Sequence, residues 1–174
     1  ESGELEYKAR QLADVIEGTS DRLAIVTHDN PDPDSIAAAA ALQSIANHLG
    51  VEADILYFGD IGHQENRAFV NLLDIELTAY DEVDIHDYET VALIDPAKAG
   101  EVNIDHDVDI FIDHYEVEDT FDAEFADVRP NVSATSTILT KYIQEFDLSV
   151  SQEVATALLY GIRAETLDFR RDTT

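Results

Sequence analysis

Short apolar runs alternate along this chain with longer stretches of helical periodicity. The clearest runs are Leu23 to Thr27, Val51 to Phe58, Thr90 to Ile94 and Val108 to Ile112. Each is short and bounded by polar or turn residues, and the first is rich in β-branched residues, so each is predicted to be a strand. Ile75 to Tyr80 is a candidate short strand. Phe125 to Val128 is a candidate edge strand, stopped by Pro130.

Between the strands the period changes. Residues 4–17 place Leu5, Leu12, Val15 and Ile16 at roughly helical spacing, and Gly18 and Ser20 end the segment. Ser35 to Leu49 is alanine-rich, which permits close packing on a sheet, and Ser35 or Asp34 is available to cap it. His48 near its end suits the helix dipole and reads as structural. A further helix opens within Gly59 to Arg67 and runs to about Leu73. Its two glycines either contact a ligand or only make the turn, and Arg67 is one of the few cations available to a phosphate. Asp81 to Asp87 reads as an acidic loop with His86 at the surface. Ser133 to Phe146 begins with Ser133, Thr135, Ser136 and Thr137. Those hydroxyls either cap the helix or accompany backbone N–H groups that cradle an anion. Val150 to about Arg163 forms the last helix, with Val154, Leu158, Leu159 and Ile162 as its apolar face, and leads into Ala164 to Phe169.

This alternation predicts an α/β fold: a mostly parallel five-stranded sheet with helices on both faces. Residues 1–19 read as a lead-in helix or linker, and 20–174 as one domain. In such sheets functional residues gather at the carboxyl ends of the strands. Three runs here end in potential metal ligands. The first is followed by His28, Asp29, Asp32 and Asp34, the second by Asp95, and the third by Asp113 and His114. Like charges packed into the loop from His28 to Asp34 repel, so that loop is costly to fold unless a cation neutralises it. His28, Asp32 and Asp34 form an H-x3-D-x-D set of nitrogen and oxygen donors, suited to Mn²⁺, Mg²⁺, Fe²⁺ or Zn²⁺. An acidic turn in an acidic protein is the plain alternative. The convergence of ligands on three strand ends favours a site.

Charge adds a second constraint. The 174 residues carry 38 Asp+Glu against 10 Lys+Arg, a formal charge of −28, spread along the whole length. In dilute salt that charge opposes compaction. A halophilic source is therefore expected, because the Debye length falls to about 3 Å at 1 M salt. No basic stripe exists for a nucleic-acid backbone, although a small phosphorylated substrate held through metal ions remains open. Absence of cysteine excludes disulfides and thiolate metal sites. No run of about 20 apolar residues or signal peptide is visible, so a cytoplasmic location is expected. The chain starts without methionine and ends without a tail signal, and it is expected to be a piece of a longer protein.

The combination of His28-x3-Asp32-x-Asp34, Ile94-Asp95-Pro96 and Ile112-Asp113-His114 resembles the DHH phosphoesterase family. That family includes single-strand exonucleases, oligoribonucleotide and cyclic-dinucleotide phosphodiesterases and manganese-dependent inorganic pyrophosphatases. The resemblance covers about residues 20–172, the family's first domain, and looks nearest to archaeal multidomain members. Those carry an N-terminal NAD-binding regulatory domain and a C-terminal DHH-associated substrate domain, both outside this chain.

By this resemblance, His28, Asp32 and Asp95 would hold one metal. Asp34, Asp95, His114 and Glu165 would hold another, with Asp95 bridging. Two Mn²⁺ per site are implied, with Mg²⁺ or Co²⁺ as alternatives. Asp34, Asp95 and His114 would be catalytic, with a metal-activated water attacking a phosphodiester or phosphoanhydride. Asp113 is expected to orient the neighbouring imidazole. Tyr115, Ser133 and Arg163 are candidate substrate contacts, and Arg163 equally suits a structural ion pair.

Three positions depart from the family pattern. Glu165-Thr166 stands where Asp-Thr is usual, Tyr115 replaces the second histidine, and Ser133 replaces a glycine. Clustered at the site, they leave a second reading open: a nucleotide- or metal-sensing module without turnover. A response-regulator receiver is disfavoured, because no lysine ends the last strand. The implied partners are a small phosphorylated substrate or short single-stranded nucleic acid, covalently linked regulatory and substrate domains, and a homodimer as one possible assembly.

Overall fold

The computed structural model describes residues 2–29, 31–58, 64–94, 104–114 and 123–172, with side chains described except at 2, 28–29, 64–66 and 166–172. The elements run α1 (Ser2–Glu17), β1 (Arg22–Asp29), α2 (Pro33–His48), β2 (Glu52–Phe58), α3 (Gln64–Leu72), β3 (Leu77–Ala79), β4 (Thr90–Ile94), β5 (Ile110–Asp113), β6 (Phe125–Val128), α4 (Thr135–Glu145) and α5 (Gln152–Asp172). Two 3-10 turns, Tyr80–Glu82 and Ile85–Asp87, stand where an acidic loop was expected.

The sheet has six strands, one more than the five expected, in the order β3-β2-β1-β4-β5-β6. All five neighbouring pairs are parallel. The two weak candidates from the sequence are both real strands, and they form the two edges. An edge strand pairs on one side only, so three or four residues suffice and the apolar signal is faint. Between β1 and β4 the direction of winding reverses, which opens a crevice at the carboxyl ends of these strands. The β1–β2 register shifts between Val26 and Asp29, where the ligand-rich loop leaves the sheet.

Alternation along the strands divides the core in two. Leu23, Ile25, Ala53, Ile55, Ala92, Ile94, Ile110, Ile112 and Phe125 face the layer that holds buried residues of α1 to α5. Ala24, Val26, Leu56, Val91, Leu93 and Phe111 face the other way, against Ile85, Tyr88 and Val108. Among the described residues α-helices cover one face, and the 3-10 turns with their flanking residues cover the other.

The run Ala37 to Ala41 explains the position of α2. These five alanines are at most 3% exposed, so the helix is buried all round. Small side chains let α2 lie against β1 and β2 while α4 and α5 close over it. The first helix is also part of this core. Leu12 and Ile16 are fully buried, each contributing about 1.5–3 kcal/mol. From α1, Lys8 Nζ donates to the Ala126 carbonyl of the edge strand at 2.8 Å, which blunts that edge.

Polar ties fix the periphery. Tyr142 of α4 donates its hydroxyl to Asp127 of β6, and Arg129 grips the same carboxylate through Nε and Nη2 at 2.9 Å each. Burial, then Asp127, raises the Tyr142 pKa. On the opposite face Tyr88 donates to Asp54 Oδ2 at 2.8 Å. Burial, reinforced by that carboxylate, pushes the Tyr88 hydroxyl up to about 12 from 10.0. The folded protein keeps this proton where the unfolded chain loses it. The associated stability is thus intact below pH 10 and is lost as pH rises towards about 12. Melting temperatures across that window should fall less steeply in Tyr88→Phe than in the parent. Parallel slopes would contradict this role.

Candidate metal centre

Three elements meet beside the strand ends: the first turn of α2, the end of β5, and the C-terminal half of α5. They bring together Asp34, His114 and Glu165, whose potential ligand atoms all lie within 4.8 Å of one another. Asp34 is fully buried and His114 is 6% exposed.

Asp34 reaches this place because α2 starts earlier than the sequence suggested. The N-cap is Asp32, with Pro33 at the first helical position. Asp32 Oδ1 accepts the Ser35 N–H at 2.9 Å. The acid expected as a ligand therefore also caps the helix, and Asp34, one of the two expected caps, points into the core instead.

There Asp34 meets the start of α4. Its Oδ2 accepts the Thr135 N–H at 3.0 Å, and its Oδ1 accepts the Ser136 N–H at 2.8 Å. Ser136 Oγ donates back to the Asp34 carbonyl at 3.2 Å. The N-cap of α4 is Ala134, which makes no side-chain cap bond. Asp34 supplies the missing cap from about a hundred residues away, satisfying two of the orphan N–H groups at the helix start. Of the two readings of this helix start, an anion cradle or hydroxyl caps, the backbone N–H groups do hold an anion, the protein's own Asp34 carboxylate. Positive helix-end potential suits the ionised form.

His114 follows β5 directly. Its backbone N–H donates to Asp113 Oδ1 at 2.7 Å. Its ring Nδ1 is 2.7 Å from Thr135 Oγ1 and 4.0 Å from Asp113 Oδ1. Asp113 thus braces the backbone, and Thr135 contacts the imidazole. His114 Nδ1 is 3.8 Å from Asp34 Oδ2.

Glu165 lies inside α5, which continues to Asp172 rather than ending near Arg163. One turn earlier, Gly161 sits where a Cβ would meet Ser136 Oγ at 2.9 Å, Asp34 Cα at 3.1 Å and the Pro33 carbonyl at 3.2 Å. Glycine therefore lets α5 seat directly on the starts of α2 and α4. Residues i and i+4 share a helix face, so the same seating brings Glu165 to Asp34 and His114. Nothing in the sequence reading singled out Gly161. Its signal was a glycine within a helix, which costs about 1 kcal/mol unless packing requires it.

The remaining candidates fall elsewhere. Arg163 is exposed and stands two residues from Gly161, about 200° round the helix. Ser133 is exposed in the bend before α4. Asp95 and Tyr115 lie outside the described residues, as does the side chain of His28.

The donor set suits a hard or borderline divalent ion: two carboxylates, one imidazole and no thiolate. The three ligand atoms are close enough together to share one ion. A bound carboxylate oxygen that accepts one N–H keeps capacity for a metal. Ligation by His114 would go through Nε2, with Nδ1 on Thr135.

Comparison with known proteins identifies the fold and the family. The model of the DHH family, N-terminal domain, matches residues 22–162. The chain belongs to the DHH family. Glu165 lies beyond the matched stretch, so its place in this DHH domain rests on the packing of α5. An uncharacterised protein of Methanocaldococcus jannaschii is 45% identical over 152 residues, covering 87% of this chain and 32% of that protein. A probable manganese-dependent inorganic pyrophosphatase of Deinococcus radiodurans is 32% identical, covering 87% of this chain and 49% of its own length. One from Bacillus pumilus is 29% identical, covering 84% and 48%. The crystal structure of an exopolyphosphatase-related protein from Bacteroides fragilis shares the fold, with a TM-score of 0.70 at 18% identity, covering 94% of this chain and 51% of that one. The chain thus spans about a third to a half of the length of these curated relatives. Among the described residues no helix is long and apolar enough to cross a membrane.

Proposed function

We propose that this DHH domain is the metal-binding half of a phosphoesterase that hydrolyses a phosphodiester or phosphoanhydride. The observation that carries the proposal is the convergence of Asp34, His114 and Glu165 from three separate elements within 4.8 Å, beside the crevice where the winding of the sheet reverses. The names of the manganese-dependent pyrophosphatase relatives support Mn²⁺ as the ion and a phosphoanhydride as one substrate class.

On this reading Asp34, His114 and Glu165 would hold one ion, and His28, Asp32 and Asp95 would supply ligands for a second. Bound Mn²⁺ would supply a Lewis acid that activates water and neutralises charge on a phosphoryl oxygen. The chain's own contribution is preorganisation. The start of α4 fixes both oxygens of Asp34, Thr135 holds the ring of His114, and Gly161 sets the height of α5 and hence of Glu165. Preset ligands do not have to be reordered when the ion and substrate arrive. Asp32 caps α2 through Oδ1, so it would bind the ion without giving up the helix start.

Calorimetric titration with Mn²⁺ in about 2 M KCl, where repulsion among the excess carboxylates is screened, tests this proposal. Two bound ions, together with Mn²⁺-dependent hydrolysis of pyrophosphate or a short oligonucleotide by the intact protein, are expected. Absence of Mn²⁺ binding would overturn the reading. Tight binding without turnover would favour the sensor reading, which Tyr115 motivates because a phenol cannot replace the charge of a second histidine beside a phosphate. Tyr115→His should then restore hydrolysis.

A further inference from the structure

We infer that Thr135 is a positioning residue that sets two metal ligands at once and selects the histidine tautomer able to bind the ion. The inference rests on the proposed metal centre and concerns how this chain builds it.

Thr135 is the first residue of α4 and is fully buried. Its N–H donates to Asp34 Oδ2 at 3.0 Å, and its Oγ1 lies 2.7 Å from His114 Nδ1. One residue therefore touches ligands from two distant parts of the chain. Its backbone and its hydroxyl together hold His114 Nδ1 at 3.8 Å from Asp34 Oδ2.

A neutral imidazole carries one N–H, and Nε2 can bind a cation only if the proton is on Nδ1. The Thr135 hydroxyl can donate or accept, so by itself it does not choose. The surrounding charge does. Nδ1 faces Asp34 Oδ2 at 3.8 Å and Asp113 Oδ1 at 4.0 Å, and both carboxylates favour a hydrogen at Nδ1. Thr135 Oγ1 then accepts that hydrogen, and the ring presents its Nε2 lone pair. Serine offers the same oxygen, whereas valine keeps the shape and the backbone N–H but offers no acceptor. Loss of such a partner lowers metal affinity about 10–100-fold.

The test combines two readouts. Nitrogen-15 spectra of the metal-free chain report which ring nitrogen of His114 carries the proton, with its signal identified by its loss in His114→Gln. Calorimetry reports Mn²⁺ affinity. The expected result is a protonated Nδ1 in the parent and in Thr135→Ser. In Thr135→Val a mixed tautomer and binding weakened about 10–100-fold are expected, with Ser close to the parent. A histidine that is merely packed would tolerate the change of tautomer and show no rescue by serine. An unprotonated Nδ1 in the parent would overturn the inference, as would parent-like affinity in Val or equal losses in Val and Ser. If the parent binds no Mn²⁺, the metal reading falls, and the tautomer comparison alone decides whether Thr135 positions the ring.

Discussion

Asp34→Asn should abolish Mn²⁺-dependent hydrolysis by the intact protein and weaken Mn²⁺ binding by more than the roughly 10–100-fold that loss of an outer partner costs. Two effects combine. Asparagine removes the negative charge that a divalent ion needs. It also breaks the cap on α4, where both carboxylate oxygens accept N–H groups from Thr135 and Ser136. The amide has one oxygen, so its NH₂ group must face one of these donors. A buried unsatisfied donor costs about 1–3 kcal/mol, and Ala134 at the N-cap has no side chain to replace the lost bond. Lower thermal stability without metal and loss of the Mn²⁺-induced rise in melting temperature are therefore both expected. Unchanged hydrolysis in Asp34→Asn would exclude the proposed centre.

Gly161→Ala should weaken Mn²⁺ binding by about tenfold, with a net cost to stability of roughly 0–2 kcal/mol. Helix propensity favours alanine by about 1 kcal/mol. Against that, the new methyl group would sit 2.9 Å from Ser136 Oγ, 3.1 Å from Asp34 Cα and 3.2 Å from the Pro33 carbonyl. Two of those atoms are backbone and cannot rotate away, so overpacking of about 1–3 kcal/mol is expected. The net loss is small, but α5 must lift by a few tenths of an ångström to relieve the contact, carrying Glu165 with it. Melting and titration measured together separate these effects. A chain with parent-like Mn²⁺ affinity would show that the seating of α5 does not set Glu165.

Both substitutions act at the junction of α2, α4 and α5, and neither effect is visible in a list of ligands. Asp34 is at once a candidate ligand and the cap of a remote helix, so on the proposed reading metal binding and the docking of α4 would be thermodynamically linked. Divalent metal should therefore stabilise the α2–α4–α5 layer as a unit.

The sequence by itself determined the class of fold and the parallel sheet, and it put candidate ligands at strand ends. Those features follow from local patterns: continuous apolar runs, breaks at Gly18 and Pro130, and the H-x3-D-x-D loop. The DHH resemblance was legible for the same reason, since its motifs are short and lie at strand ends. The edge strands β3 and β6 were faint, because pairing on one side demands few apolar residues. Tertiary structure alone decided which acid in the loop caps α2 and which enters the core, since Asp32 and Asp34 are chemically identical and differ only in where the helix begins. It alone gave the start of α4 to Asp34, put Thr135 on the His114 ring, and made Gly161 the seat of α5. These contacts join residues 34, 114, 135 and 161, which no local periodicity relates. They depend on the close approach of three helices, and only packing specifies it.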